Sequence, residues 1–500
     1  MNTNYANYKE RMQKIGDVIF SAALGHWDKE TKMPPKGNAF RARQSATLMG
    51  IAHELFIDEK FADLLKNLSE DKSLSKDEAT NVKETLKEFR MRKKYPTEFV
   101  ETLSNAISNA YQSWQTAKKE NNFNLYIPAL KKMIELKKQE AEILGYAHHP
   151  YDALLDQYEP GAKTAEVETL FNDVKLQLVN FVREISNAPQ NRNDFMFYNY
   201  DLNKQWDFSL DLLKQMGFDF QRGRQDKSTH PFTVHFSPDD VRVTTRMQEN
   251  NISDIIWCTI HEGGHALYEQ GLKPENYGLP AGEYISLGIH ESQSRLWENN
   301  VGRSLPYWKS NFPKLKNYFP ELLKEVNAED FYKAMNFVKP SLIRTNADEL
   351  TYHCHILIRF EIEKALIEGS IKVKDLREVW NAKYFDYFGL KVPSDAEGVV
   401  QDIHWAHGSI GYFPTYSLGS FYAAQFFATA KKTIPDLENQ IESGNLIPLH
   451  QWLKENIYQY GKLYTADEIC IKLTGEKLNF KYFMNYAKEK YSKIYKMEMV

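Results

Sequence analysis

The spacing of apolar residues constrains the fold of this 500-residue chain more than any other feature of its sequence. Apolar side chains recur three and four residues apart among lysines and glutamates, which is typical of helices with one buried face. The pattern predicts helices at residues 8–24, 39–56, 77–92, 98–119, 164–187 and 252–270. Thr164 is expected to be the N-cap of its helix. No linker rich in proline, glycine or serine divides the chain, so we expect a mainly α protein with residues 1–500 in a single domain.

One short stretch interrupts the helical pattern. Residues 230–236 alternate in polarity and are rich in aromatic and β-branched side chains, and 241–245 are β-branched again. The sequence SPDD at 237–240 between them is typical of a turn. This stretch predicts a small β-hairpin, directly before the helix at 252–270.

The composition excludes several classes of partner. The 63 basic and 67 acidic side chains are interspersed and give a formal net charge of -4, so we expect neither a nucleic-acid nor a membrane partner. The sequence contains no stretch of about 18 apolar residues, so we expect no transmembrane helix. The 3 cysteines are far apart and predict neither a disulfide framework nor a cysteine zinc site. A cytoplasmic location is the simplest expectation.

The sequence HEGGH at 261–265 lies within the predicted helix 252–270. Four residues turn a helix by about 400°, so His261 and His265 emerge on one face and can bind one divalent metal ion. Glu262 lies beside them and can act on a metal-bound water as a base without being a ligand. The alternative is a surface helix with two incidental histidines. Two mid-helix glycines, each costing about 1 kcal/mol relative to alanine, argue against it.

A third ligand must come from another segment, and four glutamates compete for this role. Glu269 is on the same helix and too close to fold back, whereas Glu283 lies in a turn-like context. Glu291, on a second predicted helix opening near residue 290, can be presented rigidly by a helix that crosses the first. Glu298, two turns further on, is expected to orient a ligating histidine. Glu291 is therefore the predicted ligand, with Glu283 as the alternative.

These motifs resemble those of the M32 metallocarboxypeptidase family, the carboxypeptidase Taq type. The segments that carry the resemblance are HEGGH at 261–265, HESQSR at 290–295, HPF at 230–232, DVRVT at 240–244, IRTNAD at 343–348, GVVQDIHW at 398–405, WDKETKMPP at 27–35 and YDALLD at 151–156. They follow one another across essentially the whole chain.

The resemblance implies an almost all-helical fold with a deep groove, related in shape to angiotensin-converting-enzyme-like peptidases. The hairpin would lie beside the metal helix, and the helices of roughly residues 1–120 would cover the groove. It also implies a homodimer, dependence on Zn²⁺ or Co²⁺, peptide substrates, and removal of single C-terminal amino acids with broad specificity.

A carboxypeptidase must recognise a free carboxylate, which a planar guanidinium binds with two hydrogen bonds. Arg344 and Arg242 are the candidates within the matched segments, and Arg344 ranks first because Arg242 has Asp239 and Asp240 as local partners. Arg295 is a weaker candidate. The strand 241–245 is expected to offer a free edge to an extended peptide.

Several histidines and tyrosines are further candidates. His230 and His407 are predicted substrate contacts, although His230 can equally be a core histidine. His404, Tyr412 and Tyr416 are predicted to stabilise the tetrahedral intermediate, without a choice among them. Gln401 and Asp402 are expected to orient these groups.

Two alternatives to the carboxypeptidase remain at this stage. An endo-oligopeptidase or a dipeptidyl carboxypeptidase would use the same HEGGH helix and differ only in how the substrate terminus is held. A metal-stabilised scaffold without activity is the other alternative. Glu262 argues against the scaffold, because a structural metal site has no need for a base and usually has its fourth position closed.

Overall fold

The structure of the chain is a computed structural model that describes residues 3–498. Helices dominate it, as the sequence predicts. Within the described residues the α-helices are α1 Thr3–Thr31, α2 Asn38–Ile57, α3 Glu59–Ser69, α4 Lys76–Lys93, α5 Thr97–Lys119, α6 Ile127–Leu144, α7 Pro150–Leu155, α8 Thr164–Asn187, α9 Leu202–Met216, α10 Ile252–Gly271, α11 Leu287–Arg295, α12 Leu305–Tyr318, α13 Ala328–Met335, α14 Thr351–Glu368, α15 Leu376–Phe388, α16 Pro414–Thr433, α17 Leu437–Glu442, α18 Ile447–Asn456, α19 Ala466–Thr474 and α20 Lys481–Tyr495. A π-helical segment, Leu296–Gly302, follows α11 directly.

The chain folds into two compact units, each assembled from three segments. The first unit contains the described residues up to Lys93 together with Arg192–Met335 and Tyr422–Leu478. The second unit contains Lys94–Asn191, Asn336–Phe421 and the described residues from Asn479 onward. Because neither unit is continuous in the chain, no linker of distinctive composition marks the division.

Helix positions agree closely with the apolar periodicity, but one predicted cap is wrong. Helix α8 covers 164–187 as predicted, yet its N-cap is Lys163 and not Thr164. Thr164 is already in the helix, and both its backbone N–H and its hydroxyl donate to Asp152 on α7. A carboxylate from a neighbouring helix therefore satisfies the first turn, which spacing along the chain could not reveal.

The predicted hairpin is present as part of a three-stranded sheet in the first unit. Strands β2 (Thr233–Ser237) and β3 (Asp240–Thr245) are antiparallel, and a further strand, β1 (Gly223–Lys227), pairs parallel to β3. The order β1-β3-β2 places β3 in the centre, so the prediction that 241–245 offers a free edge is wrong. Within the described residues, that edge belongs to β2 and to β1. Strand β1 (GRQDK) was missed because it is polar and does not alternate.

Helix α10 is the centre of the first unit and packs against β2, β3, α9 and α11. It begins at the cap Asn251, whose side chain accepts from the N–H of Ser253. Its two glycines lie where neighbouring elements approach most closely. A Cβ on Gly263 would lie 2.8 Å from Leu213 of α9, and one on Gly264 would lie 2.7 Å from the backbone of Gln293 in α11. The glycines therefore allow α10 to fit between two helices.

The core of the second unit is built around α14, which packs against α6, α7, α8 and α15. Nearly every residue of α14 is buried, including the guanidinium of Arg359. Within residues 3–498, no helix is both long enough and apolar enough to cross a membrane.

Candidate active site

The two histidines of α10 and one carboxylate of α11 converge in the first unit. His261 Nε2 and His265 Nε2 lie 3.7 and 3.4 Å from the same oxygen of Glu291, Oε2. Bonds of about 2.1 Å in a tetrahedral arrangement separate ligand atoms by about 3.4 Å. Two imidazole nitrogens and one carboxylate oxygen thus have the chemistry and the spacing that a divalent metal ion requires.

Glu298 is hydrogen-bonded to His261, the first of the two histidines. It lies on the π-helical segment, and its Oε2 is 2.8 Å from His261 Nδ1. A carboxylate accepts, so Nδ1 donates and the lone pair is on Nε2, the nitrogen that faces Glu291. Arg295 and Arg303 also donate to Glu298, each at 3.1 Å. These charges outweigh the effect of burial and hold the pKa of Glu298 far below its usual range.

The second oxygen of Glu291 is held by Arg295, whose Nε lies 2.7 Å from Oε1. Burial alone would raise the pKa of Glu291, but Arg295 and the two histidines keep it well below the ordinary value. Glu291 is therefore a carboxylate with one oxygen committed to Arg295 and the other facing His261 and His265. Arg295 is engaged by Glu291 and Glu298, which does not favour it as a binder of the substrate terminus.

The other histidine of the cluster, His265, is flanked by an aromatic ring. The imidazole of His290 stacks on it with ring centres 4.2 Å apart and planes 16° apart. His290 Nε2 is itself 2.8 Å from Glu269, whose second oxygen is 3.1 Å from His235 Nδ1. Glu269 is thus bound between His235 and His290 and is not part of the cluster formed by His261, His265 and Glu291. The alternative ligand Glu283 is half exposed and forms an ion pair with Lys462.

Glu262 is buried and follows His261 in the chain, but it is not part of the cluster formed by His261, His265 and Glu291. Its Oε2 accepts a hydrogen bond of 2.7 Å from the hydroxyl of Thr233, the first residue of β2. Burial raises the pKa of Glu262 above the ordinary value, and the charge of His261 and the Thr233 hydrogen bond oppose this. A carboxylate with a raised pKa in this position is suited to accept and return a proton.

The arginine ranked first for substrate binding, Arg344, lies in the second unit. Its Nε and Nη2 donate to Asp402 Oδ1 at 3.0 and 2.9 Å, and its Nη1 donates to the hydroxyl of Tyr352 at 3.1 Å. Asp402 Oδ2 is bound by the buried Arg359. Burial opposes ionisation of Asp402, but the two guanidiniums hold its pKa far below the usual range. Asp402 thus orients Arg344, whereas the sequence predicted that it orients the groups of the 404–416 segment.

Three of the four predicted groups in the 404–416 segment lie together in the second unit. His404 Nε2 is 3.2 Å from the hydroxyl of Tyr416, and the Tyr412 ring is centred 5.1 Å from that of Tyr416. Burial, reinforced by the charge of Arg344, lowers the pKa of His404 to about 3, so the imidazole is neutral at pH 7. His407 lies apart from them: it is exposed and stacks on Tyr111.

The remaining candidates, Arg242 and His230, lie in the first unit. Arg242 forms a two-pronged ion pair with Asp240, with both hydrogen bonds at 2.9 Å, and its guanidinium lies over the ring of Trp27. This is the local partner that the sequence suggested, and it favours a structural role. His230 is exposed rather than a core histidine, and its carbonyl accepts from Ser228.

The sequence did not single out Thr233, Arg303 or Arg359, which contact predicted site residues directly. Thr233 and Arg359 contact residues that are distant in the sequence. Arg303 contacts Glu298, which lies on another turn of the same segment. The position of Thr233 directly after the HPF segment is the one signal that could have drawn attention to it.

Comparison with known proteins agrees with this geometry. The family model described as carboxypeptidase Taq (M32) metallopeptidase matches residues 7–491. Carboxypeptidase 1 of Bacillus subtilis is 37% identical over 498 residues, which are 99% of either chain.

Two solved structures are similar over nearly their whole length. The M32 carboxypeptidase of Deinococcus radiodurans is 36% identical, has a TM-score of 0.98, and the match covers 99% of this chain and 100% of that one. A structure described as that of CHT is 53% identical with a TM-score of 0.97, over 98% of this chain and 99% of that one. The chain therefore belongs to the M32, or carboxypeptidase Taq, family of metallopeptidases, which are hydrolases of peptide bonds.

Proposed function

We propose that the protein is a metal-dependent carboxypeptidase that releases single C-terminal amino acids from peptides with broad specificity. The observation that carries the proposal is the convergence of His261, His265 and Glu291, with Nε2 to Oε2 distances of 3.7 and 3.4 Å. Family membership and the names of relatives such as carboxypeptidase 1 of Bacillus subtilis support the choice of reaction.

His261, His265 and Glu291 would hold the ion. Two histidines and one glutamate are a donor set typical of catalytic zinc, and Zn²⁺ is the proposed metal, with Co²⁺ as an alternative. When bound, the ion supplies a Lewis acid that polarises the scissile carbonyl and lowers the pKa of a water molecule.

Glu262 is the proposed base and acid. It takes the proton from the attacking water and returns it to the leaving amine. Its carboxylate is held by Thr233 and is buried, so bulk water does not compete for the proton. This arrangement does not require Glu262 to bind the metal.

Arg344 is the proposed receptor for the substrate C-terminus. A guanidinium has five N–H groups, so Arg344 can donate to a carboxylate while keeping its bonds to Asp402 and Tyr352. Arg242, His230 and His407 stay proposed as further substrate contacts, with Arg242 the weaker because Asp240 already pairs with it.

Stabilisation of the tetrahedral intermediate is proposed for His404, Tyr412 or Tyr416. The neutral imidazole of His404 and the hydroxyl of Tyr416 are within hydrogen-bond distance of each other, so one of them can orient the other as a donor.

A homodimer in the cytoplasm completes the proposal. The dimer rests on resemblance to the family. The cytoplasm is supported by Cys258, Cys354 and Cys470, which are free thiols and suit a reducing compartment.

The test is mass spectrometry of the products from a defined peptide and from its C-terminal amide, with and without chelator. We expect stepwise loss of single residues from the free peptide, little cleavage of the amide, and no cleavage with chelator. Glu262→Gln should abolish hydrolysis while zinc stays bound. Cleavage of the amide at an undiminished rate would instead identify an endo-oligopeptidase, and release of dipeptides a dipeptidyl carboxypeptidase.

A further inference from the structure

We propose that Thr233 is a positioning residue for Glu262: its hydroxyl holds the carboxylate in the rotamer from which Glu262 exchanges a proton with the attacking water. The proposal rests on the proposed function, because it assumes that Glu262 is the base.

The contact joins strand β2 to helix α10, which packs against it. Thr233 is the first residue of β2 and is paired with Val243 of the central strand β3. Its Oγ1 lies 2.7 Å from Glu262 Oε2 and 2.9 Å from the backbone carbonyl oxygen of Glu262. One threonine hydroxyl therefore contacts both the side chain and the main chain of the same residue.

Glu262 needs such a partner because its side chain has three rotatable bonds. A general base acts only within about 3.2 Å of the proton that it removes, so a freely rotating carboxylate would spend little time in place. Threonine is well suited to hold it, because its β-branched side chain is stiff and its backbone is held in a strand. A hydroxyl also donates to the carboxylate without adding a charge next to the ligands.

None of the three proposed ligands is touched by this contact. His261 is oriented by Glu298, Glu291 by Arg295, and His265 lies against His290. Loss of the Thr233 hydroxyl should therefore affect turnover and leave metal binding unchanged. A purely structural role would instead lower stability or metal affinity together with activity.

The experiment compares Thr233→Val, which keeps the shape and removes the hydroxyl, with Thr233→Ser, which keeps the hydroxyl. Thr233→Val should lower kcat about 10- to 100-fold, since a hydrogen bond to a charged group is lost. KM and the zinc dissociation constant from chelator competition should stay within about twofold, and Thr233→Ser should restore kcat to within a few-fold. Crystals of zinc-loaded Thr233→Val should show Glu262 in more than one rotamer.

Thr245→Val is the matched control. It removes a buried hydroxyl contact of 3.3 Å between β3 and Thr259 of α10, the same sheet and the same helix, without touching Glu262. Its kcat should equal that of the wild type. If Thr233→Val does not fold, Thr233→Ala serves as the second variant that lacks the hydroxyl.

Three results would overturn the proposal: an unchanged kcat in both hydroxyl-free variants, a loss that Thr233→Ser does not restore, or a parallel loss of zinc affinity. These outcomes differ from failure of the proposed function. A wild type that cleaves the amidated peptide freely is no carboxypeptidase, yet the variants still report on Thr233. If Glu262→Gln retained activity, both the assignment of Glu262 as the base and the proposed role of Thr233 would be overturned.

Discussion

Glu363, a fully buried carboxylate on α14, should make the stability of the protein depend on pH in a defined direction. Its Oε2 accepts from the hydroxyl of Tyr151 at 2.7 Å and from the N–H of Gly411 at 3.0 Å, and its Oε1 accepts from Trp405 Nε1 at 2.9 Å. Burial raises the pKa of Glu363 from 4.5 to about 7, although these three hydrogen bonds lower it. The perturbation to make is Glu363→Gln, which removes the titrating group.

The direction of this pH dependence follows from the number of protons that the folded and the unfolded chain bind at Glu363. Between pH 4.5 and about 7 the folded chain keeps a proton on Glu363 that the unfolded chain has lost. The stability that Glu363 contributes is therefore fully present below its unfolded pKa and declines as the pH rises to the folded one. The interval between the unfolded and the folded pKa corresponds to a loss of about 3 kcal/mol in the free energy of unfolding, at about 1.4 kcal/mol for each pH unit.

The assay is urea unfolding of the wild type and of Glu363→Gln at several pH values from 4.5 to 8. The free energy of unfolding of the variant minus that of the wild type should rise by about 3 kcal/mol over this range, whatever its starting value. Titrations shared by the two proteins cancel in this difference. Tyr151→Phe removes a hydrogen bond that lowers the pKa of Glu363. The stability of this variant should therefore continue to decline to a higher pH than that of the wild type. A difference that stays constant with pH would refute the reasoning.

Three further substitutions test the candidate active site. Glu298→Gln should weaken zinc binding about 10- to 100-fold in chelator competition, because the hydrogen bond that orients His261 is weakened; an unchanged affinity would remove Glu298 from the site. Arg344→Lys should lower kcat/KM for free peptides about 100-fold in steady-state assays, with little change for amidated peptides, because lysine has no planar fork. Gly264→Ala should lower stability by about 1–3 kcal/mol in thermal unfolding, since its Cβ would lie 2.7 Å from the backbone of α11, and a wild-type melting temperature would contradict that close packing.

Features that depend on neighbouring residues in one helix were predictable from the sequence. The spacing of His261 and His265 requires only the helical rotation, and the structure places both imidazoles towards Glu291. The mid-helix glycines argued against a surface helix, and α9 and α11 do pack closely against α10 at these two positions. Glu298 was identified because it lies two turns beyond Glu291, although the π-helical form of that segment has no obvious signal in the sequence.

Contacts between elements far apart in the chain were not predictable in the same way. Strand β1 has no apolar alternation, and without it β3 looked like an edge strand. Thr164 looked like a cap because nothing along the chain indicates that Asp152 satisfies that turn. The division into two units was also hidden, since each is assembled from three separate segments.

His261 and His265 show why contacts between distant segments cannot be predicted from a short motif. Both belong to one motif five residues long, and the motif alone does not distinguish them. Yet His261 is oriented by a hydrogen bond from its Nδ1 to Glu298, whereas His265 lies face to face with His290. A hydrogen bond to a carboxylate fixes which nitrogen carries the proton, whereas ring stacking restrains the plane of the ring and leaves the proton unassigned. The two histidines should therefore differ in how strongly substitution of a neighbouring residue affects them. That difference arises from the packing of α10 against α11 and the π-helical segment, and not from the HEGGH motif itself.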